Sequence, residues 1–372
     1  LNDPLDPARF PPDALIPANV PLSTFQRRRL TEDLERLQQQ GLALSQQGQW
    51  DEAFSVWYRE LRGRQALGAL AEIEALGRVG SIAWENNRQE DLGVISRRLE
   101  TVKSNEEKGG RLNPEILTAL ARAYQQMRNL DAAIAYYQTL RLEAQQAQDD
   151  RRETQILTIL GELYLAKFDY PRAGEIYEPL LDRARASGNS YLEGLYLQKL
   201  AEIYNKSAQT ENAVRIKEDL AQSYIQNQQI ERLPDLKIAL GDDYRALQEA
   251  EKASKNYQEA YSLGWSLQQY GAASLALSKL ADLYNASGQA NYALQIYQRL
   301  LRVERQSYNY YGLMQTYEKI GRLYRQARQY DPALSAYQQS LSLARSLKYA
   351  EQETRLLNEI QQVQQERNPA PQ

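Results

Sequence analysis

Small and large apolar positions recur along this chain in a phase that is kept for most of its length. The clearest unit is Leu160-Gly161-Glu162-Leu163-Tyr164, followed by Ala173 and then Tyr177. With the small residue as reference, Gly41, Gly80, Ala121, Gly161, Ala201, Gly241, Ala281 and Gly321 stand at intervals of 39, 41 and then 40 residues. Tyr124, Tyr164, Tyr204, Tyr244, Tyr284 and Tyr324 follow it by three. Ala133, Ala173, Ala213, Ala253, Ala293 and Ala333 come twelve residues after it, and Trp57, Tyr137, Tyr177, Tyr257, Tyr297 and Tyr337 four beyond that row. So regular a repetition marks a repeat array of eight units.

Residues three and four apart share one face of a helix. The pattern therefore predicts a helix hairpin in which Gly or Ala lets two helices cross closely, flanked by large apolar side chains. Turns are expected at Ser45-Gln-Gln-Gly48, Ala208-Gln-Thr210 and Ala286-Ser-Gly288, with Asp51, Asp131 or Asp331-Pro332 capping the second helix. A lone hairpin cannot bury its apolar stripe, so the units must stack. The expected fold is all-α, a right-handed α-solenoid superhelix of about eight hairpins. Repeat 2, with Leu92 and Ser96, and repeat 5, with Lys217, break the pattern, so looser packing is expected there.

Leu-Gly-x-x-Tyr, then Ala, then an aromatic at these offsets resembles the tetratricopeptide repeat (TPR). The usual unit is ~34 residues long; this one is 40 and lacks the helix-ending proline, so it resembles a subclass with longer helices. The resemblance implies a non-enzymatic scaffold that binds a partner segment in its concave groove. Relatives that hold a peptide C-terminus carry a Lys/Asn/Arg clamp in that groove. Acids stand there in this chain, so a carboxylate tail is expected to be repelled.

Composition narrows the function further. With 45 basic and 48 acidic residues there is no global field to attract nucleic acid. No apolar run is long enough to span a membrane. His and Cys are both absent, which removes thiolate and imidazole chemistry and His-containing triads, so no enzyme is expected. Any metal would need oxygen ligands, which suit a hard cation. Twenty-six tyrosines against four phenylalanines are assigned mainly to packing, with Tyr308, Tyr310 and Tyr311 as candidates for an exposed patch.

Residues 1–29 read as a proline-rich arm, 30–365 as one array and 366–372 as a flexible tail. The arm holds Pro4, Pro7, Pro11, Pro12, Pro17 and Pro21, with Phe10, Leu15 and Ile16 as anchors if it docks and a bland linker as the favoured reading. Asp3, Asp6 and Asp13 would chelate a cation only weakly. Thr31 is expected to cap the first helix. A chain that opens on Leu1 and has no Cys is expected to be exported and periplasmic with its leader removed; a cytoplasmic location is the alternative. That character also resembles periplasmic photosystem II assembly factors of cyanobacteria, which implies the reaction-centre D1 protein as partner and manganese as cargo.

The first helix of each pair should line the groove. One position after the reference stand Glu162, Glu202, Asp242 and Asp282, bracketed by Arg122 and Arg322. Asn205, Arg245 and Asn285 lie four after it, and Gln198, Ser278 and Glu318 three before. These residues form the candidate partner-binding groove. Its four acids are expected to form a negative track, for a basic or amide-rich segment or, as the alternative, for divalent manganese held weakly. A solvated face is the plain reading of the same stripe, since exposed pairs contribute only ~0–1 kcal/mol.

Overall fold

The structure, a computed structural model, describes residues 3–6, 13–15, 21–110 and 112–368. Phe10, Ile16, Pro7, Pro11, Pro12 and Pro17 lie outside them. The described residues contain helices and no strand, in two compact units, Leu1–Leu180 and Leu181–Gln372, that divide inside the eighth helix. Unit 1 holds α1 (Thr24–Gln46), α2 (Trp50–Gln65), α3 (Ala69–Glu85), α4 (Gln89–Glu107), α5 (Pro114–Gln126), α6 (Leu130–Gln146), α7 (Asp150–Ala166) and the start of α8 (Tyr170–Ala186). Unit 2 continues with α9 (Ser190–Lys206), α10 (Thr210–Gln226), α11 (Leu233–Ala246), α12 (Ala250–Ser266), α13 (Tyr270–Ala286), α14 (Ala290–Gln306), α15 (Tyr310–Gln326), α16 (Tyr330–Ser346) and α17 (Ala350–Arg367).

The 40-residue period is two identical half-periods. From α12 onward the helices begin at Ala250, Tyr270, Ala290, Tyr310, Tyr330 and Ala350, 20 residues apart. Each turn between them is built alike. In the turn after α9, Ala208 adopts a left-handed backbone (φ 54°), its N–H bonds Asn205 O at 3.3 Å, and Gln209 N–H bonds Tyr204 O at 2.9 Å. That is a Schellman closure. The residue that completes it also starts the next helix, as Asn129, Asp149, Asn189 and Asn309 show by accepting a first-turn N–H. The connection therefore needs only three residues.

Four helix starts differ from expectation. Asp51, Asp131 and Asp331 are second in their helices, behind Gln49, Asn129 and Gln329 at the cap. A first-turn carboxylate is favoured by the helix dipole without accepting a cap bond, so the residue type alone misplaces the boundary. Likewise α1 begins at Thr24, inside the span assigned to the arm. Ser23 and Gln26 form a reciprocal capping box there, and Thr31 Oγ1 donates back to Arg27 O at 2.9 Å.

The reference glycines are small because an aromatic ring lies against them. A Cβ on Gly41 would come within 2.2 Å of Trp57, one on Gly161 within 2.8 Å of Tyr177, and one on Gly241 within 2.4 Å of Tyr257. Trp57, Tyr257, Tyr297 and Tyr337 are fully buried. Tyrosine serves better than phenylalanine because its hydroxyl reaches a neighbouring helix. Tyr124 and Tyr244 donate to Glu100 and Glu218 on the preceding second helix, and Tyr164 accepts from Gln138 at 2.7 Å.

The two weak repeats resolve differently. In repeat 2 no aromatic faces Gly80, and α5 occupies the space instead: a Cβ on Gly77 would lie 2.8 Å from Ala123 Cα, and one on Gly80 2.6 Å from Met127 Cγ. The small face of α3 is thus used against the next repeat. In repeat 5 the expected looseness is absent. Lys217 is 4% exposed and its ammonium bonds Asn205 at 2.8 Å and Asp243 at 2.5 Å, replacing a buried phenol with a buried ion pair.

The described part of the arm is docked, which corrects the linker reading. Leu5 is completely buried, Arg62 donates to Pro4 O at 2.6 Å, and Gln65 to Leu5 O at 3.0 Å. Arg59 holds Asp13 by two bonds of 2.6 and 3.0 Å, while Leu15 packs on Leu22, Leu30, Leu34 and Leu37. An arm without helical periodicity can still bury single side chains and use its backbone carbonyls as acceptors. No helix among the described residues is long and apolar enough to cross a membrane.

Candidate partner-binding groove

The candidate residues stand on alternate helices: Glu162 on α7 in unit 1, and in unit 2 Gln198, Glu202 and Asn205 on α9, Asp242 and Arg245 on α11, Ser278, Asp282 and Asn285 on α13, Glu318 and Arg322 on α15. Within unit 2 the successive first helices are tied by ion pairs that repeat with the array. Asp242 accepts the Tyr257 hydroxyl at 2.7 Å and Lys279 Nζ at 2.8 and 2.9 Å. Asp282 accepts the Tyr297 hydroxyl and Lys319 Nζ, the latter at 2.9 Å to both oxygens. Lys319 also reaches Ser278 Oγ at 3.2 Å and lies 5.6 Å above the Tyr297 ring.

Burial, and then the adjacent carboxylate, push both phenols well above their usual pKa. Each therefore remains a protonated donor, and each aspartate is held by a phenol from its own hairpin and an ammonium from the next repeat. That revises the expected track. Asp242 and Asp282 are neutralised where they stand, whereas Glu162 and Glu202 are exposed. Glu202 has no ion-pair partner among the described residues, because the position that carries lysine in the later repeats is Ala239.

Glu318 is corrected outright as a groove ligand. It is 6% exposed and accepts from Arg322 at 2.9 Å, Gln352 at 2.6 Å and Arg355 at 2.7 Å, so it fastens α17 to α15. Arg325, two turns on, does the same through Glu359 and Glu366. Asn205 is partly committed to Lys217. Arg245, Asn285 and Arg322 remain exposed, whereas Gln198, also exposed, lines a 500 Å³ pocket with Ser223 of α10, Asn227 and Arg232.

Sequence reasoning missed Lys279 and Lys319. Their signal was present: they stand 37 residues after Asp242 and Asp282 and 40 from each other. Among the described residues no three carboxylates converge as a cation would require. Tyr308 is 77% exposed, and Tyr311 lies 5.6 Å from Tyr349, ring centre to ring centre, so the tyrosine patch at this turn is at the surface.

Residues 272–346 and 114–140 match tetratricopeptide repeat family models. Together these matched segments make up just over a quarter of the chain. The first spans α13 to α16 and the second spans α5 and most of α6. Among solved structures the chain is similar to BtubC from P. vanneervenii at 19% identity, over 59% of this chain and 92% of that one, with a TM-score of 0.40. It is similar to the MamA protein at 19% identity over 53% and 95%, TM-score 0.39, and to RapI at 12% over 91% and 99%, TM-score 0.39. No curated protein sequence matches.

Proposed function

We propose that the protein is a non-enzymatic interaction scaffold that holds a partner segment along the first helices of unit 2. One observation carries this reading. The Asp242–Lys279 and Asp282–Lys319 pairs brace successive first helices while leaving Arg245, Asn285 and Arg322 exposed beside them. Pre-set side chains spare a partner the entropy of ordering them. The face suits a polar, amide-rich segment that offers a basic residue to Glu202 and acids to Arg245 and Arg322.

A photo-crosslinking residue at Asn285 tests this against one at Gln295, which is exposed on the second helix α14. Partner crosslinks should form from 285 and be lost in Arg245→Ala. Equal crosslinking from both positions would remove the groove assignment.

A finer reading follows the resemblance to the periplasmic photosystem II assembly factor PratA. The Gln/Arg/Tyr-rich makeup and the absence of Cys support it, and it makes the protein an exported photosystem II biogenesis factor with the D1 protein as partner. In the alternative version the exposed Glu162 and Glu202, each separately on its own unit, hold manganese weakly through oxygen. Calorimetric titration with manganese separates the two: saturable heat that is reduced in Glu162→Gln or in Glu202→Gln supports the metal reading, and no saturable heat removes it.

A further inference from the structure

On the other side of the hairpins in unit 2, the second helices α10 and α12 run side by side over α11 and leave an open groove. Its cause is local. Other first helices of this unit start 20 residues after the start of the preceding second helix, but α11 starts 23 after α10 and carries Pro234 at its first turn. Proline has no N–H for an i→i−4 bond, so the chain enters through a single 3-10 turn, Ile230–Arg232, closed by Leu233 N–H on Ile230 O. One end of the groove becomes an apolar cleft of 610 Å³ between Ile225, Ile230, Leu233 and Leu263. Ile225 is 48% exposed there.

The polar groups along the groove are mostly committed. Lys237 pairs with Glu259 at 2.7 Å, Lys252 with Glu249 at 2.5 Å, and Glu218 takes the Tyr244 hydroxyl. Two groups are not. Lys255 borders both the apolar cleft and the polar part of the groove, and it has no ion-pair partner among the described residues although Glu251 lies one turn away. Asn256, 9% exposed and lining the polar part, spends its amide N–H on Lys252 O and leaves Oδ1 without a hydrogen-bond partner among the described residues. An unpaired ammonium beside an apolar cleft complements a carboxylate next to a large apolar side chain. An unpaired, accessible amide oxygen complements a peptide N–H. From Lys252 to Leu263, at 1.5 Å rise per residue, the groove is roughly 16 Å long, the length of about five extended residues.

We propose that this groove is a second docking site, for a short extended segment of a partner protein that sets one large apolar side chain against Ile225, Ile230, Leu233 and Leu263, a carboxylate on Lys255 and a backbone N–H on Asn256. It is independent of the first-helix face. Fluorescence anisotropy of the full chain with labelled acetyl-Leu-Ala-Asp-Ala-Ala-amide and its Asp→Asn counterpart tests it. The Asp peptide should bind at least about tenfold tighter at low salt, Lys255→Glu should abolish that preference, and Ile225→Asp should weaken both peptides. Asn285→Ala should change neither. Equal affinity for the two peptides, an unchanged preference in Lys255→Glu with circular dichroism intact, or no saturation by about 1 mM peptide would each overturn the proposal. So would a concentration-dependent dimer that Lys255→Glu dissolves, since the occupant would then be a second copy of this chain.

Discussion

Lys319 Nζ lies 2.9 Å from both carboxylate oxygens of Asp282, one repeat earlier, and Lys279 meets Asp242 in the same way. Because the side chains of the first pair are 35% and 42% exposed, solvent and salt screen the attraction. A double-mutant cycle of Lys319→Ala and Asp282→Asn by chemical denaturation should give a coupling of about 0.2–1 kcal/mol. Lys319→Ala alone should leave a negative site in the groove and raise affinity for a basic peptide. A coupling of several kcal/mol would mean that the pair is a core contact and not a brace on a surface.

The Gly241–Tyr257 contact allows a sharper contrast. A Cβ at 241 would lie 2.4 Å from Tyr257 Cε1, whereas one at Gly271 would meet nothing within 4 Å. Gly241→Leu should cost on the order of 1–3 kcal/mol through overpacking, as should Ala173→Leu at a fully buried position. Gly271→Ala, on the open first turn of α13, should be neutral or stabilise by up to about 0.5 kcal/mol. Thermal melts of the three variants decide it. Equal melting temperatures for Gly241→Leu and the parent would undo the repeat registration.

This contact was legible in the sequence because it recurs: Gly or Ala at the reference and an aromatic sixteen residues later are visible in six of the eight units. The groove chemistry was less so. An acidic row can be read from period alone, but its neutralisation by Lys279 and Lys319 depends on which faces of successive helices meet. Glu318 was misassigned for a related reason, since its partners Gln352 and Arg355 come from a helix beyond the last reference glycine. The groove beside α11 rests on one proline and has no period to announce it.

The left-handed turn residues give a third test. Ala208 holds φ 54° and Gly188 φ 66° in equivalent turns, a region that costs a non-glycine residue roughly 1 kcal/mol or more. Gly188→Ala should lower stability by about 1 kcal/mol. Ala208→Gly should be neutral to mildly stabilising, because relief of the backbone is offset by the entropy glycine gains in the unfolded chain. Urea midpoints moving in the opposite order would contradict the turn assignment.

For the arm, Leu5→Ala should destabilise by about 2–5 kcal/mol, the cost of emptying a site that is fully buried. Arg62→Ala should add a smaller loss by freeing Pro4 O. If deleting residues 1–22 leaves the melting temperature of unit 1 unchanged, the arm is a passive strip and its contacts are marginal.

Glu304 makes stability depend on pH. It sits at the end of α14 with 3% exposure; Thr316 donates to Oε1 at 3.2 Å, and Oε2 has no hydrogen-bond partner among the described residues. Burial pushes its carboxyl up to about 7, against smaller lowering effects from Thr316, Ser274 and Lys319. A carboxyl whose folded value is raised favours the neutral form in the fold. Its share of stability is complete below the ordinary value near 4.5 and is lost as pH rises through about 7. The loss should be on the order of 3 kcal/mol, reducing the melting temperature of unit 2 between those values and levelling off above. Glu304→Gln keeps the shape, cannot ionise, and should flatten that part of the profile while raising stability at pH 8. A parent and a variant with parallel pH profiles would show that Glu304 is ionised and satisfied in the fold.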